Sequence, residues 1–284
     1  MSGWAKPTAR PLTAFTRNVR PLGYPLLALL AAALCAAVGQ AAADRPSIEV
    51  VGTSFRVTTP DGRVLRSPDL VDAVLNVIDE AGRTVTLRID AVDKDPSDPS
   101  GEIWLHRFSV SDDSAGEWRE FCTPGPDGTV AGFPIAGSWT SDGRHQKASA
   151  GFIVSCTSGA VGKCVRMGYK PWREVKFESL WDYHQACVRA LRADYGGDGA
   201  GYTRDRTLVD VFDRLGIQSP EPDPHGVTLQ FEAAWGPDGA VCVRRTRLPE
   251  ILTTEQLAER YPGLADRIGP DCSGAVDALI WNRS

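Results

Sequence analysis

The chain has 284 residues, 31 Lys plus Arg against 36 Asp plus Glu, and a formal net charge of −5. An acidic chain with no basic block is a poor match for nucleic acid or for anionic lipid, which excludes both as principal partners. Hydrophobic residues make up 42%, enough for one large domain or two small ones sharing a core.

The first segment sets the compartment. Met1–Ala43 holds Lys6, Arg10, Arg17 and Arg20 and no acid, then the apolar run Leu26–Val38, then Ala41-Ala42-Ala43. That order of basic, apolar and small residues is the pattern of a secretory signal peptide. The run is shorter than the roughly 20 residues a spanning helix needs, so a membrane role is expected only through this segment if it stays uncleaved. Leu34 before Cys35 argues against lipidation there. Localisation is therefore expected to be secreted or periplasmic, in the cell envelope. Six cysteines follow the leader: Cys122, Cys156, Cys164, Cys187, Cys242 and Cys272. An even count in an exported protein reads as three disulfides. Fifteen pairings are open by combinatorics, and no C-x-x-C pair supports zinc.

Residues 44–155 read as β-rich. Phe55 and Val57 alternate with polar neighbours before Pro60-Asp61-Gly62, a turn with a mechanism, and Val64 and Leu65 return. Ala73–Ile78 suits a buried strand and Asp79–Gly82 a turn. Val85, Leu87, Ile89 and Ala91 hold every second position, a clear two-residue period. Asp93–Glu102 has the composition of a surface loop. Trp104, His106, Phe108 and Val110 then share one side of a strand, His106 as a flank of its aromatic face. Residues 111–150 read as a long irregular segment anchored by Cys122, before a short strand at Phe152–Ser155.

Residues 156–284 read as a cysteine-bearing α+β region, continuous with the first. Cys156 and Cys164 bracket a small-residue loop; they bridge each other or tie outward. Tyr169-Lys170-Pro171-Trp172 forms a ligand wall or, more simply, plugs the following helix. Ser179 caps that helix, and Leu180, His184, Cys187, Val188 and Leu191 share one face. Gly196 and Gly197 are expected to stop it. Asp194, Asp198 and the glycines between them make an acidic turn. Calcium takes oxygens from such loops, but the spacing is not that of an EF-hand. The simpler expectation is solvated acids, or pairs with Arg192 or Arg204. His184 with Asp194, Asp198 and Asp205 is the one candidate set for acid–base chemistry; as a residue of the apolar face, His184 reads more simply as a core histidine.

Leu208–Phe212 reads as a strand, and Ser219–Gly226 as a linker with a solvated His225. Val227–Arg245 reads as a hairpin about Pro237-Asp238-Gly239. Thr253 or Thr254 caps a short helix ended by Pro262-Gly263. Val276, Leu279 and Ile280 suggest a last helical segment after Cys272.

Ala193-Asp194-Tyr195-Gly196 resembles the signature of the bacterial ADYC-domain family, named for Ala-Asp-Tyr-Cys, with Gly196 where the family has cysteine. Cys156-Thr157-Ser158-Gly159-Ala160, Lys163-Cys164, Gly168–Trp172, His184–Cys187, Gly197-Asp198-Gly199 and Tyr202–Asp205 extend the likeness. It covers roughly 50–272, most firmly 156–213. The resemblance implies a secreted, cysteine-bearing domain and supplies no catalytic residue.

The expected fold is α+β: largely antiparallel sheet, one central amphipathic helix, one or two short C-terminal helices, braced by disulfides. No phosphate-binding glycine loop, G-x-S-x-G or H-E-x-x-H is present. The expected function is a non-catalytic binding or envelope-associated module. It would contact a surface polymer, a protein or a small ligand through Trp104, Trp139, Tyr169 and Trp172. The alternative is an extracellular hydrolase built on His184 and the nearby carboxylates.

Overall fold

A computed structural model describes residues 45–78, 83–111, 117–147, 151–222, 226–269, 271–272 and 274–284. The leader Met1–Ala43, the Asp79–Gly82 turn and His225 lie outside the described residues.

Ser47–Val51 (β1), Ser54–Thr58 (β2) and Val64–Arg66 (β3) form a three-stranded antiparallel sheet. The Pro60-Asp61-Gly62 turn joins β2 to β3 as expected, with Gly62 at φ 83°. Next come Val74–Ile78 (β4), Thr84–Lys94 (β5), Trp104–Ser111 (β6), Arg119–Glu120 (β7) and Gly132–Ala136 (β8). Ser138–Trp139 (β9), His145–Gln146 (β10) and Phe152–Cys156 (β11) complete the first half. The main sheet runs β11-β8-β6-β5-β4, with β7 beside β6. Val85, Leu87 and Ile89 of β5 are buried on one face, where they meet Phe55, Phe108 and Val110.

Strand β8 departs from the irregular segment expected at 111–150. Pro134 disguised it, because proline cannot donate to a ladder and argues against a strand; here it pairs opposite Val154. Gly132 faces Cys156 in the same register, where a Cβ would stand 2.7 Å from the Ser155 carbonyl oxygen and 3.0 Å from Cys122 Sγ. The missing side chain lets the Cys122–Cys156 bridge cross the strand pair.

The second half contains Ala160–Arg166 (α1), the hairpin Glu174–Val175 (β12) and Glu178–Ser179 (β13), and Leu180–Arg192 (α2). Asp210–Asp213 (β14), Phe231–Gly236 (β15), Gly239–Val243 (β16), Thr254–Arg260 (α3) and Ile280–Arg283 (β17) follow. The second sheet is antiparallel in the order β14-β17-β15-β16, and α2 packs across it. Ala186, Ala190, Tyr195, Trp235, Val243, Leu257 and Ile280 close the core between them.

Four local expectations are corrected. The loop expected between Cys156 and Cys164 is helical: Gly162 permits α1 to lie on the end of β11, since a Cβ there would stand 2.3 Å from the Cys156 carbonyl oxygen. Helix α2 ends at Ala193, itself left-handed at φ 51°, ahead of Gly196 and Gly197. The helix is buried nearly all round, including Gln185 and Arg189, so one apolar face understates it. The expected last helical segment is strand β17, drawn between β14 and β15; Val276 before it is 88% exposed.

The disulfides are Cys122–Cys156, Cys164–Cys187 and Cys242–Cys272. Cys156 and Cys164 therefore both tie outward. The bridges fasten the 117–130 segment to β11, α1 to α2, and β16 to the C-terminal segment. The loop 93–102 is more than surface. Asp95 is buried against Arg166 (Oδ2 to Nε, 2.7 Å), and Asp98 holds the Lys170 ammonium at 2.9 Å. These ion pairs join the β-rich half to the cysteine-bearing half. Among the described residues no helix is long and apolar enough to cross a membrane.

Candidate functional site

The Ser179 hydroxyl accepts from the Trp181 backbone N–H at 3.3 Å and starts α2. One turn on, His184 is fully buried and its Nε2 donates to the Val161 carbonyl of α1 at 3.2 Å. Burial holds its pKa down to about 4, so the ring is neutral near pH 7. Beside it lies a stack that the sequence did not disclose. His145 is sandwiched between Trp139 at 3.6 Å and Trp181 at 3.7 Å, with the His184 ring at 6.0 Å. Its backbone N–H donates to Gln185 Oε1 at 2.9 Å, and Gln185 Nε2 donates to the Gly143 carbonyl at 2.8 Å. Gln185 thus clamps the 139–146 turn to α2. Burial draws the His145 pKa to about 3. His106 is likewise in the core, sharing a 2.7 Å hydrogen bond with Ser67.

The tetrapeptide at the end of α2 divides its labour. Ala193 makes the left-handed cap. Asp194 accepts from Arg189 Nη1 at 2.5 Å and from the Gly199 N–H at 3.0 Å. Burial pushes the Asp194 carboxyl up, and the Arg189 guanidinium opposes this. The Tyr195 hydroxyl donates to Glu232 Oε1 at 2.9 Å and accepts from the Arg247 N–H at 2.8 Å. Glu232 Oε2 accepts from Arg247 Nε at 2.9 Å and Asn282 Nδ2 at 2.8 Å. Trp235 Nε1 donates to Asn282 Oδ1 at 2.7 Å. Arg247 also donates to the Ala190 and Leu191 carbonyls, at 2.6 and 3.0 Å, and so caps the helix C-terminus from outside it. Gly196 lies under the Tyr261 ring, whose Cε1 would be 2.1 Å from an added Cβ.

The candidate acid–base set does not converge. His184 and Asp194 are ten residues apart near opposite ends of α2, about 15 Å along a helix axis. Asp198 accepts from the Ala200 N–H at 2.9 Å and the Tyr261 hydroxyl at 2.9 Å, and Asp205 is exposed. Arg189 is the cation on Asp194, in place of the expected Arg192 or Arg204; Arg204 pairs with Glu250 at 3.0 Å. Asp198 uses both oxygens on protein partners, whereas Asp194 uses only Oδ2 and its Oδ1 is buried without a hydrogen bond. No group of three or more His, Cys, Asp or Glu is arranged to hold a metal among the described residues.

Of the four expected aromatic contacts, Tyr169 is in the core, its hydroxyl donating to Asp213 at 2.9 Å. Trp139 and Trp172 are half-buried on one cluster with Ile103, Ile135 and Ile153. The Trp104 backbone N–H donates to Thr53 Oγ1 at 2.7 Å, and the Trp172 ring lies against the neighbouring Gly52. Lys94 covers the Trp104 ring at 3.9 Å.

Next to Trp172 the β12–β13 hairpin projects Phe177, the most exposed large hydrophobic side chain among the described residues at 103%. Lys176 and Phe177 have φ of 51° and 67°. Two left-handed residues make a type I′ turn, which normally takes Asn-Gly. Each non-glycine residue there costs roughly 1–2 kcal/mol. The surroundings enforce the turn: Lys176 Nζ donates to the Leu215 carbonyl at 2.9 Å. Glu178 accepts from the Tyr183 hydroxyl at 2.8 Å and from Arg214 Nη2 at 2.6 Å.

The family model for the ADYC domain matches residues 67–249. The chain belongs to the ADYC-domain family. No curated protein and no solved structure matches it. In this ADYC domain the signature is a structural lock: its Asp and Tyr close two buried charge pairs around the end of α2. Sequence reading missed Glu232, although an acid inside the apolar run Phe231–Trp235 is itself a sign of a buried partner. It missed the Phe177 hairpin because Lys-Phe carries none of the usual turn residues.

Proposed function

We propose that this ADYC domain is an exported, non-catalytic binding module of the cell envelope. It meets a protein partner with the Phe177 hairpin. The observation that carries this reading is the pairing of full exposure with enforced strain at Phe177. An outlying backbone conformation persists only where the surrounding structure over-determines it, and such sites concentrate at functional positions. A rigid aromatic knob also loses little entropy on binding. Three disulfides suit an oxidising space, and the leader-like Met1–Ala43 segment supplies the route there. A hydrolase would need His184 to exchange protons with substrate; its burial and bond to Val161 oppose that role.

The test is a photo-crosslinking benzoylphenylalanine at position 177 in the full chain, irradiated in the producing cell. Adducts confined to the exported fraction are expected, with N-terminal sequencing finding the leader removed. No adduct at 177, or a protein retained in the cytosol with free thiols, refutes the reading.

A further inference from the structure

We infer that the free edge of β4 pairs with the β4 edge of a second copy, about a two-fold axis through Asn76. The inference is independent of the Phe177 hairpin. Strand β4, Val74–Ile78, is the terminal strand of the main sheet, with β5 as its neighbour. Its backbone phase is fixed by the Ile89 N–H, which donates to the Ala73 carbonyl at 3.0 Å. In an antiparallel ladder the N–H and C=O of one residue point to the same side, and the side alternates along the strand. Ala73, Leu75 and Val77 therefore turn theirs toward β5. Val74, Asn76 and Ile78 turn theirs outward, to the open edge.

Open edges invite pairing, and proteins blunt them with charge, proline or bulges. Strand β4 has none of these devices. Its sequence, VLNVI, holds no charge and no proline, its register to β5 is unbroken, and Val74 is 53% exposed. Other edges are protected. Strand β14 carries Asp210 and Asp213, β11 is buried along its length, and β1 sets Glu49 against Arg56. Strand β16 is bridged to Ile268 and tied by Cys242–Cys272.

The strand itself specifies the occupant. Placing Asn76 opposite the partner's Asn76 sets Val74 opposite the partner's Ile78 and Leu75 opposite the partner's Val77. The residues with outward backbone groups then meet one another, so each outward N–H finds a carbonyl. A register shifted by one residue would face outward groups with inward ones. Side chains agree. Half-buried Leu75 and buried Val77 lie on the core face opposite Leu87 and Val85, so the apolar layer runs on across the axis. Val74 and Ile78 pair on the outer face, with the two Asn76 amides between them. No like charges meet, and a charged peptide in the same place would break the apolar layer. The contact is isologous and closes at two copies. Five residues a side, against the roughly 20–30 of a standard interface, make the dimer weak and concentration-dependent.

Sedimentation velocity and single-cysteine crosslinking on the full-length exported chain, disulfides intact, from about 10 µM to about 1 mM, test this. Wild-type mass is expected to rise with concentration to that of a dimer and stop. Asn76→Cys forms a disulfide dimer on mild oxidation, since Asn76 faces itself at about 5.5 Å between Cα atoms, within disulfide reach. Val74→Cys does not, because the two copies of residue 74 stand about 13 Å apart along the ladder. Val74→Lys places a charge on the exposed edge; it stays monomeric with an undiminished melting temperature, which separates lost pairing from lost folding. Phe177→Ala dimerises as the wild type does. A wild-type monomer at about 1 mM, assemblies larger than a dimer, equal crosslinking by Val74→Cys and Asn76→Cys, or an undisturbed Val74→Lys dimer overturns the inference. So does an Asn76→Cys chain found bridged to a different protein in the producing cell.

Discussion

Replacing Gly196 by alanine places one carbon 2.1 Å from Cε1, 2.4 Å from Cζ and 2.6 Å from Cδ1 of Tyr261. The φ of Gly196 lies outside the left-handed region, so alanine suffers no backbone penalty there. The ring must move instead. Its hydroxyl donates to Asp198 at 2.9 Å and meets the Tyr202 hydroxyl at 3.1 Å. Losing both bonds costs roughly 0.5–1.5 kcal/mol each, and overpacking adds roughly 1–3 kcal/mol. The expected destabilisation is about 2–6 kcal/mol. In a chain of this size each kcal/mol lowers the melting temperature by roughly 2–4 °C, a fall of about 4–24 °C. Urea and thermal unfolding followed by circular dichroism measure it. In a Tyr261→Ala background the same substitution costs less than about 0.5 kcal/mol, because the clash is gone. An equal loss with and without the Tyr261 ring refutes the reasoning: Gly196 would then be required for something other than that contact.

Glu232→Ala leaves the Arg247 guanidinium without its carboxylate at a site fully closed to solvent, and a broken buried pair costs about 3–5 kcal/mol; a urea midpoint within error of wild type counts against the network as a structural lock. Acid weakens the fold through its histidines. His184 and His106 stay neutral down to about 4 and His145 to about 3, while the unfolded chain takes up those protons near pH 6.5. The unfolded state therefore binds more protons between pH 6.5 and 4, and stability falls as pH drops through that window, by several kcal/mol in sum. A urea midpoint flat from pH 7 to 5 contradicts this, and His145→Phe is expected to flatten the slope in part.

Where a feature is made by near neighbours in the chain, it was legible. Pro60-Asp61-Gly62 and Pro237-Asp238-Gly239 turn where their residue types require, and the period of Val85, Leu87 and Ile89 places one buried face. Thr253 caps α3 through a reciprocal bond with Gln256, a pattern written in four consecutive residues. The errors fall where distant contacts overrule local preference. Pro134 pairs in a strand because β11 and the Cys122–Cys156 bridge hold it there. Val276, Leu279 and Ile280 have helical spacing, yet the slot between β14 and β15 takes Ile280–Arg283 as a strand.

The site divides the same way. Residue order was enough to mark the Ala193–Gly196 signature, to count six sulfurs after the leader and to flag His184 as a core histidine, since each rests on chain order or on helix period. It could not pair the sulfurs, set Arg189 on Asp194 and Arg247 on Glu232, stack His145 between two indoles, or push Phe177 into solvent. Those depend on which surfaces meet once the two sheets and α2 are assembled. Apart from Arg189–Asp194 and Trp139–His145, five and six residues apart, these partners lie fifteen to thirty-six residues apart and leave no local trace; only the packed chain brings them together.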